Sequence, residues 1–511
     1  MEIQVFEQEG IFQLNTEHTT YLMGLADGKY LGHLYYGRRM QDHEGRYLLR
    51  AKDSAQEVYK RYRDKINFMD SFHFEYPVSG TGDFRDPGLR VRDEGGYRVC
   101  ELHYAGYEIL DGKPALKGMP ATFAGKQEGQ AAKTLVIVLR DEVLKLKIEL
   151  RYSIFEDNDA IIRSVVAVNE GEKKLYLERI LSACMDMDND GFDRISLHGC
   201  WARERHIQAV KLGQGRHVIG STRGESSHYV HPFLALTTAG TSQKMGEVYA
   251  MNFIYSGNFL AEAELDHRDS VRMSMGLHPD GFEWVLAPGE RFETPEAVLV
   301  YSAAGLGPMT RTFHSLYRNH LIRSKYLHKK RPILINNWEA TYFDFDDDKL
   351  VAIAEQAKKL GIEMLVMDDG WFGKRDGDEC ALGDWTVNEN KIRCGLKALV
   401  ERVNALGLKF GIWFEPEMVS PDSDLYRAHP DWAIQAPGRE LTMGRHQYVL
   451  DLTRQEVVDY VYESVASVIR SANIEYVKWD MNRQLTDLGS FGLDAEHMGE
   501  FSHRYVLGVY Q

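Results

Sequence analysis

The chain has few cysteines: five in 511 residues, at Cys100, Cys184, Cys200, Cys380 and Cys394. An odd, scattered set without metal-ligand spacing excludes a disulfide framework and a zinc cluster, and suits reduced thiols in a reducing compartment. No apolar run reaches the roughly 18 residues that a membrane helix needs. The opening Met1-Glu-Ile-Gln-Val-Phe-Glu-Gln-Glu-Gly10 has neither the basic start nor the apolar centre of a signal peptide, so the expectation is a cytoplasmic protein without membrane association. Positive charge is also scarce: 61 Lys and Arg stand against 76 Asp and Glu, a formal charge of −15. Without Lys/Arg clusters a nucleic-acid partner is excluded, and neutral or cationic ligands remain. No repeat of fixed period is present, which argues against a propeller. What is there is a composition 44% hydrophobic and 27% charged, that of a globular chain long enough for two or more cores.

As far as roughly residue 305 the signals are strands and turns. In Val143–Tyr152, Leu144, Leu146, Ile148, Leu150 and Tyr152 alternate with Lys145, Lys147, Glu149 and Arg151, the pattern of an antiparallel strand buried on one face. Similar runs at 160–168, 174–183, 229–237, 248–255, 271–277 and 297–301 are separated by clusters such as Asn-Glu-Gly and Pro-Gly-Glu, which predicts a large β-sandwich over 1–305. A helix over 309–322 and a basic stretch, Arg323 to Arg331, read as a linker covering 306–331.

From Pro332 strands and helices alternate. Strands are expected at 333–338, 364–369, 409–415 and 474–482. A helix follows the first, with Asp346 as N-cap and Gly361 just past its end, another runs from Leu396 to Gly407, and Thr453-Arg-Gln-Glu456 reads as a capping box opening a third. Alternation of this kind means parallel strands with helical crossovers, doubly wound or a (β/α)8 barrel. No Gly-rich phosphate loop follows the first strand. Polar and aromatic residues instead sit at the carboxyl end of every strand, which favours the barrel, of which about half, the N-terminal part, fits within 332–511.

The chemistry concentrates in Tyr476-Val-Lys-Trp-Asp-Met-Asn482. With period two, Tyr476, Lys478, Asp480 and Asn482 share one face, and in a βα series with helices outside that face points inward, where buried charge requires a partner or a ligand; the bland alternative is a Lys-Asp pair that fixes the strand. Asp368 and Asp369 both reach a ligand only where their strand curls at Gly370, or else serve as a calcium or helix-cap site. Gly411, Trp413 and Glu415 share a face, with Trp413 either flooring a sugar ring or packing in the core. Arg445 either clamps hydroxyls or pairs with an acid. Carboxylates beside indoles at strand ends point to carbohydrate chemistry.

Asn337-Trp-Glu339, Met367-Asp-Asp-Gly-Trp-Phe372, Gly383-Asp-Trp385, Trp413-Phe-Glu-Pro-Glu-Met418, Leu450-Asp-Leu452 and Lys478-Trp-Asp-Met-Asn-Arg483, in that order, resemble the barrel of α-galactosidases in glycoside hydrolase family 36. Gly199-Cys-Trp-Ala-Arg-Glu-Arg205 is similar to that family's β-supersandwich. The resemblance implies a retaining exo-α-galactosidase acting on melibiose and raffinose-type oligosaccharides, without metal or organic cofactor. It implies Asp480 as nucleophile, with Asp368, Asp369, Trp413, Arg445, Lys478 and Asn482 in the galactose subsite and Trp338 near the leaving group. It also implies a homotetramer in which Trp201 and Asp53 contact a neighbouring subunit's site. The lysine two residues from Asp480 is expected to keep that carboxylate ionised. The family's acid/base carboxyl follows a later Gly-rich turn, so it is expected beyond Gln511; in the family neither glutamate of Phe-Glu-Pro-Glu serves as the acid. Related readings are action on α-N-acetylgalactosaminides, glycosyl transfer, or sugar binding without catalysis.

Overall fold

A computed structural model describes residues 1–41, 45–50, 58, 68–125 and 127–511. The chain divides into two compact units, Met1–Arg323 and Ser324–Gln511.

In the first unit the alternating runs fold as antiparallel strands. A ten-stranded sheet passes from Arg203–Lys211 through Asp193–Cys200, Val230–Thr237, Val248–Ile254, Glu296–Ser302, Ile161–Asn169, Leu146–Phe155 and Ala132–Asp141 to His103–Asp111, with Arg291–Glu293 joined to its middle. Leu146, Ile148, Leu150 and Tyr152 are fully buried, while Lys147, Glu149 and Arg151 lie on the half-buried face, because successive side chains of a strand point to opposite sides. A six-stranded sheet is built around Leu175–Asp188 and Ser270–Leu277, and a four-stranded one from residues 2–38.

A buried polar knot ties the four-stranded sheet to the ten-stranded one. Glu75 accepts hydrogen bonds from Tyr21 (2.7 Å), Tyr152 (2.8 Å) and Arg163 (2.5 Å), and its second oxygen lies 3.1 Å from His33 Nδ1. Burial pushes the Glu75 pKa up, but Arg163, His33 and Tyr21 together hold it below the usual value. The helix expected to lie in the linker instead belongs to this unit. It spans Leu306–His320, and Met309, Phe313 and Leu316 pack against Ile195, Ala235, Val298 and Val300.

The second unit is built on a four-stranded parallel sheet, Leu334–Asn336, Met364–Met367, Lys409–Phe414 and Tyr476–Trp479, paired in chain order. Helices Asp347–Lys359, Leu396–Ala405 and Gln455–Ser471 occupy the crossovers, and Phe501–Tyr510 closes the described chain. Asp346 caps the first, its side chain accepting from the Lys349 N–H at 2.9 Å, and Gly361 follows at φ 80°, a conformation open to glycine without steric cost. The capping box expected at Thr453 does not form. The Thr453 hydroxyl donates instead to Asp451 at 2.6 Å, a charged acceptor stronger than the rivals inside the turn, and the helix starts at Gln455 after Arg454 without a side-chain cap.

Glu75→Gln leaves Arg163 as an uncompensated charge in the core, and breaking such a pair typically costs about 3–5 kcal/mol. Denaturant unfolding of the variant is expected to shift by that amount; a shift within the error of the wild-type midpoint would show that the knot contributes nothing.

Candidate active site

Parallel register brings the carboxyl ends of the four strands level. Asn336 pairs with Val366, Met367 with Ile412, Trp413 with Lys478 and Phe414 with Trp479. The residues just past these ends, Asn337, Asp368, Glu415 and Asp480, therefore converge where a parallel α/β sheet presents its chemistry.

Asp368 is held from three directions. Its Oδ2 accepts from Lys478 Nζ at 2.9 Å and from the Asn336 side-chain amide, and its Oδ1 accepts the Asp369 N–H at 2.9 Å. The lysine thus pairs across the sheet with Asp368 and not with Asp480, as its position on the strand had suggested. The strands Met364–Met367 and Tyr476–Trp479 flank Lys409–Phe414 in the sheet, so the long lysine side chain reaches over one intervening strand to Asp368. Asp369 turns the other way at Gly370, whose φ is 106°. Arg375 grips both of its oxygens, Nε to Oδ1 at 3.0 Å and Nη2 to Oδ2 at 2.8 Å. Burial raises the Asp369 pKa, and Arg375 opposes that rise.

Asp480 takes two neutral donors on a single oxygen. Trp413 Nε1 lies 3.1 Å and Asn482 Nδ2 2.8 Å from Oδ2. The Trp413 ring itself is 2% exposed, stacked on Phe372 with 6.1 Å between centroids and an interplanar angle of 10°. Its packing and its chemistry coexist, because only the indole edge faces the carboxylate. The room left by Gly411 goes to Tyr476: a Cβ there would lie 2.9 Å from that ring.

Behind Asp480 lies Glu415, 1% exposed, which accepts the Asn482 backbone N–H at 2.7 Å and the Gln447 side-chain amide at 3.2 Å. Burial above all, then the charges of Asp480 and Asp369, push its pKa up to about 7 against the hydrogen bonds from Asn482. Glu417 is occupied elsewhere, by Trp479 Nε1 at 2.9 Å and the Tyr505 hydroxyl at 2.6 Å.

The remaining expected residues are spread more widely. Trp338 is half-buried, edge-on to Tyr342 and Phe343, and its backbone N–H donates to Asn336 at 2.8 Å. Arg445 is exposed at the apex of a tight turn closed by Gly444 and Gln447, where Arg445 and His446 have φ of 48° and 60°. Trp201, in the first unit, is 83% exposed at the turn between Asp193–Cys200 and Arg203–Lys211. Asp53 lies outside the described residues.

Sequence reasoning missed Asn336, Arg375, Lys391 and Gln447. Arg375 had only a weak signal, because Lys374, Asp376, Asp378 and Glu379 crowd the same loop. Lys391 had none, since it acts on backbone: its Nζ donates to the carbonyls of Phe343 (2.9 Å), Gly370 (3.0 Å) and Arg375 (2.9 Å), tying the loops beyond the first two strands.

A β-sandwich followed by parallel strands that end in carboxylates, amides and indoles defines a glycoside hydrolase. The chain matches the family described as Melibiase over residues 291–511 and the glycosyl hydrolase family 36 N-terminal domain over 29–287. It is 45% identical to alpha-galactosidase AgaA of Geobacillus stearothermophilus over 511 residues, covering 100% of this chain and 70% of that protein. Identity to alpha-galactosidase 1 of Pediococcus pentosaceus is 40%, over 100% of this chain and 69% of that one. Among solved structures, the alpha-galactosidase AgaB of Geobacillus stearothermophilus superposes with a TM-score of 0.97 at 45% identity, over 100% of this chain and 70% of its own length. A variant of AgaA in complex with raffinose superposes with a TM-score of 0.95 at 46% identity, over 98% and 69%. The chain belongs to glycoside hydrolase family 36.

Lys391→Met leaves three carbonyls without their charged donor. Stranding buried polar groups costs about 1–3 kcal/mol each, so the variant is expected to lower the midpoint of tryptophan-monitored unfolding, with the loss read from Trp371, Trp385 and Trp413; an unchanged midpoint would show that the lysine merely rests on the loops.

Proposed function

We propose that the protein is a retaining exo-α-galactosidase that hydrolyses terminal α-D-galactosyl residues of melibiose and raffinose-type oligosaccharides. The observation that carries this reading is Asp480, fixed by the Trp413 indole and the Asn482 amide through Oδ2 alone. Oδ1 is thereby oriented for attack on an anomeric carbon: the ester bond forms as the bond to the glycosidic oxygen breaks, that oxygen leaves with a proton from a general acid other than Asp480, and water activated by the same group then cleaves the ester. Asp368, anchored by Lys478 and Asn336, is assigned to sugar hydroxyls, since a carboxylate accepts two of them at once. Lys478, Asn482 and Asp369 complete the polar wall, with Arg445 on its turn and Trp338 toward the leaving group. Glu417 is not given the acid role, because both of its oxygens are taken. The four parallel strands are read as consecutive strands of a (β/α)8 barrel. No metal or organic cofactor enters the scheme.

The working form is read as a homotetramer in a reducing compartment, the cytoplasm. Five cysteines, none of them in a disulfide, support the compartment. Trp201, exposed beside a strand whose residues are exposed along their whole length, supports contact with a neighbouring copy.

The aryl α-glycosides of galactose, N-acetylgalactosamine and glucose separate the readings. Galactose release is expected to dominate; preference for the N-acetylated sugar, or no release at all, would refute the assignment. Asp480→Asn is expected to keep the melting temperature and lose several powers of ten in kcat, because the amide does not attack carbon; retention of more than about a hundredth of the rate would remove Asp480 from the role. Asp368→Ala loses charge-assisted hydrogen bonds of about 1.5–3 kcal/mol, so kcat/KM is expected to fall about 10- to 100-fold. A change confined to stability would make Asp368 structural.

A further inference from the structure

Glu415 is a carboxyl group buried one residue beyond the third strand, and the cations nearby are spent on other groups. Arg375 grips Asp369, Lys478 pairs with Asp368, and Arg483 donates to the carbonyls of Thr442 and Gln447. The charges that face Glu415 are the carboxylates Asp480 and Asp369, and its two bonded neighbours, Asn482 and Gln447, are neutral. An ionised carboxylate placed so would be buried among like charges without a counter-charge, an arrangement that proteins resolve by keeping the proton.

A second observation points the same way from the other side of the contact. Gln447 is 1% exposed, and its Oε1 is a buried oxygen without a hydrogen-bond partner. The two ends of a glutamine amide differ only in which hydrogen bonds they make. Turning this one over places its oxygen opposite Glu415 Oε2, at a separation now 3.2 Å. A protonated Glu415 then donates O–H to that oxygen, which removes the surplus charge, while the amide nitrogen takes the place at which the oxygen had no donor. Glu415 Oε1 remains free to accept the Asn482 backbone N–H at 2.7 Å, and the Asn482 side chain remains on Asp480.

We propose that Glu415 is a neutral carboxylic acid in the resting site, sharing its proton with the Gln447 amide, and that in this form it is the positioning residue that sets Asn482 against Asp480. The inference rests on the reading of Asp480 as the nucleophile. A proton here confers two advantages. It removes one negative charge from beside Asp480 and Asp369, and it still leaves an oxygen to fix the residue that orients Asp480. The raised Glu415 pKa of about 7 accords with this. The sign for folding follows: the folded state holds the proton between the ordinary carboxyl value and about 7, where the unfolded chain releases it, so this site loses stability as pH rises through that window and none further above it.

The variants Glu415→Gln and Glu415→Met separate a neutral acceptor from a charged one. Gln keeps an acceptor for the Asn482 N–H and carries no charge, so kcat on nitrophenyl α-galactoside is expected to stay within about threefold of wild type. Met keeps the bulk and removes the acceptor, and kcat is expected to fall tenfold or more at similar KM, the mark of a misplaced nucleophile. Equal damage in both variants would overturn the neutral form, and no damage in either would overturn the positioning role. A readout independent of turnover distinguishes failure of this proposal from failure of the galactosidase reading. Infrared difference spectra of wild type minus Glu415→Gln at pH 6 are expected to show one protonated carboxyl band that titrates near pH 7; its absence overturns the proposal whether or not galactosides are hydrolysed. Should Glu415→Gln not fold, Gln447→Met retains the carboxyl and removes its partner, so the same band, followed with labelled glutamate, is expected to titrate at lower pH than in wild type. A titration unmoved by Gln447→Met refutes proton sharing.

Discussion

Four carboxylates stand at one edge of a four-stranded sheet with two cations among them, and the site is shaped by that shortfall. Lys478 takes Asp368 and Arg375 takes Asp369, so Asp480 and Glu415 are left to neutral neighbours: an indole, two amide side chains and a backbone N–H. Neutral donors orient the Asp480 carboxylate without neutralising it. Cations do the opposite, tying Asp368 and Asp369 down by charge as well as by hydrogen bonds.

This economy depends on parallel pairing. Each strand contributes one or two residues to the site, at its end, and strands of three to six residues suffice because the helices between them carry the packing. Leu350, Ala354 and Ala357 on one helix and Leu399, Val400 and Val403 on another are buried, so the sheet's upper edge is free of any duty to the core. The loops above it are fixed by polar means, through Lys391 on three carbonyls and Asp451 on Thr453 and Ser490.

The parallel strands and helices of the second unit were legible to within a few residues, since an aspartate N-cap and glycines past helix ends are local signals, but the strands before Ala132 and the hairpin Asp193–Lys211 were read only as part of a strand-rich region and not placed. The capping box failed because a competing acceptor, Asp451, lay two residues outside the motif. At the site, the face shared by Lys478 and Asp480 was legible, but the partner of Lys478 was not: it sits 110 residues earlier, and only strand order brings it near. Trp413 was read with core packing and ligand contact as alternatives, and the structure gives its ring to the core and its N–H to Asp480. Gln447 gave no sign in the sequence, because its importance lies in the turn at Arg445 and His446 that aims it. Trp201 was marked only by the resemblance of Gly199–Arg205 and by no local signal, and the pairing of its flanking strands accounts for its exposure.

The indole of Trp413 has its ring sealed against Phe372 and its one polar atom on the carboxylate of Asp480. An indole's emission responds to charge placed at its nitrogen edge, so the charge that Asp480 carries is written onto a chromophore that solvent does not reach. The molecule thus carries its own optical gauge of that carboxylate, with Trp371 and Trp385 close enough, at ring separations of 6.3 Å along the cluster, to share its excitation.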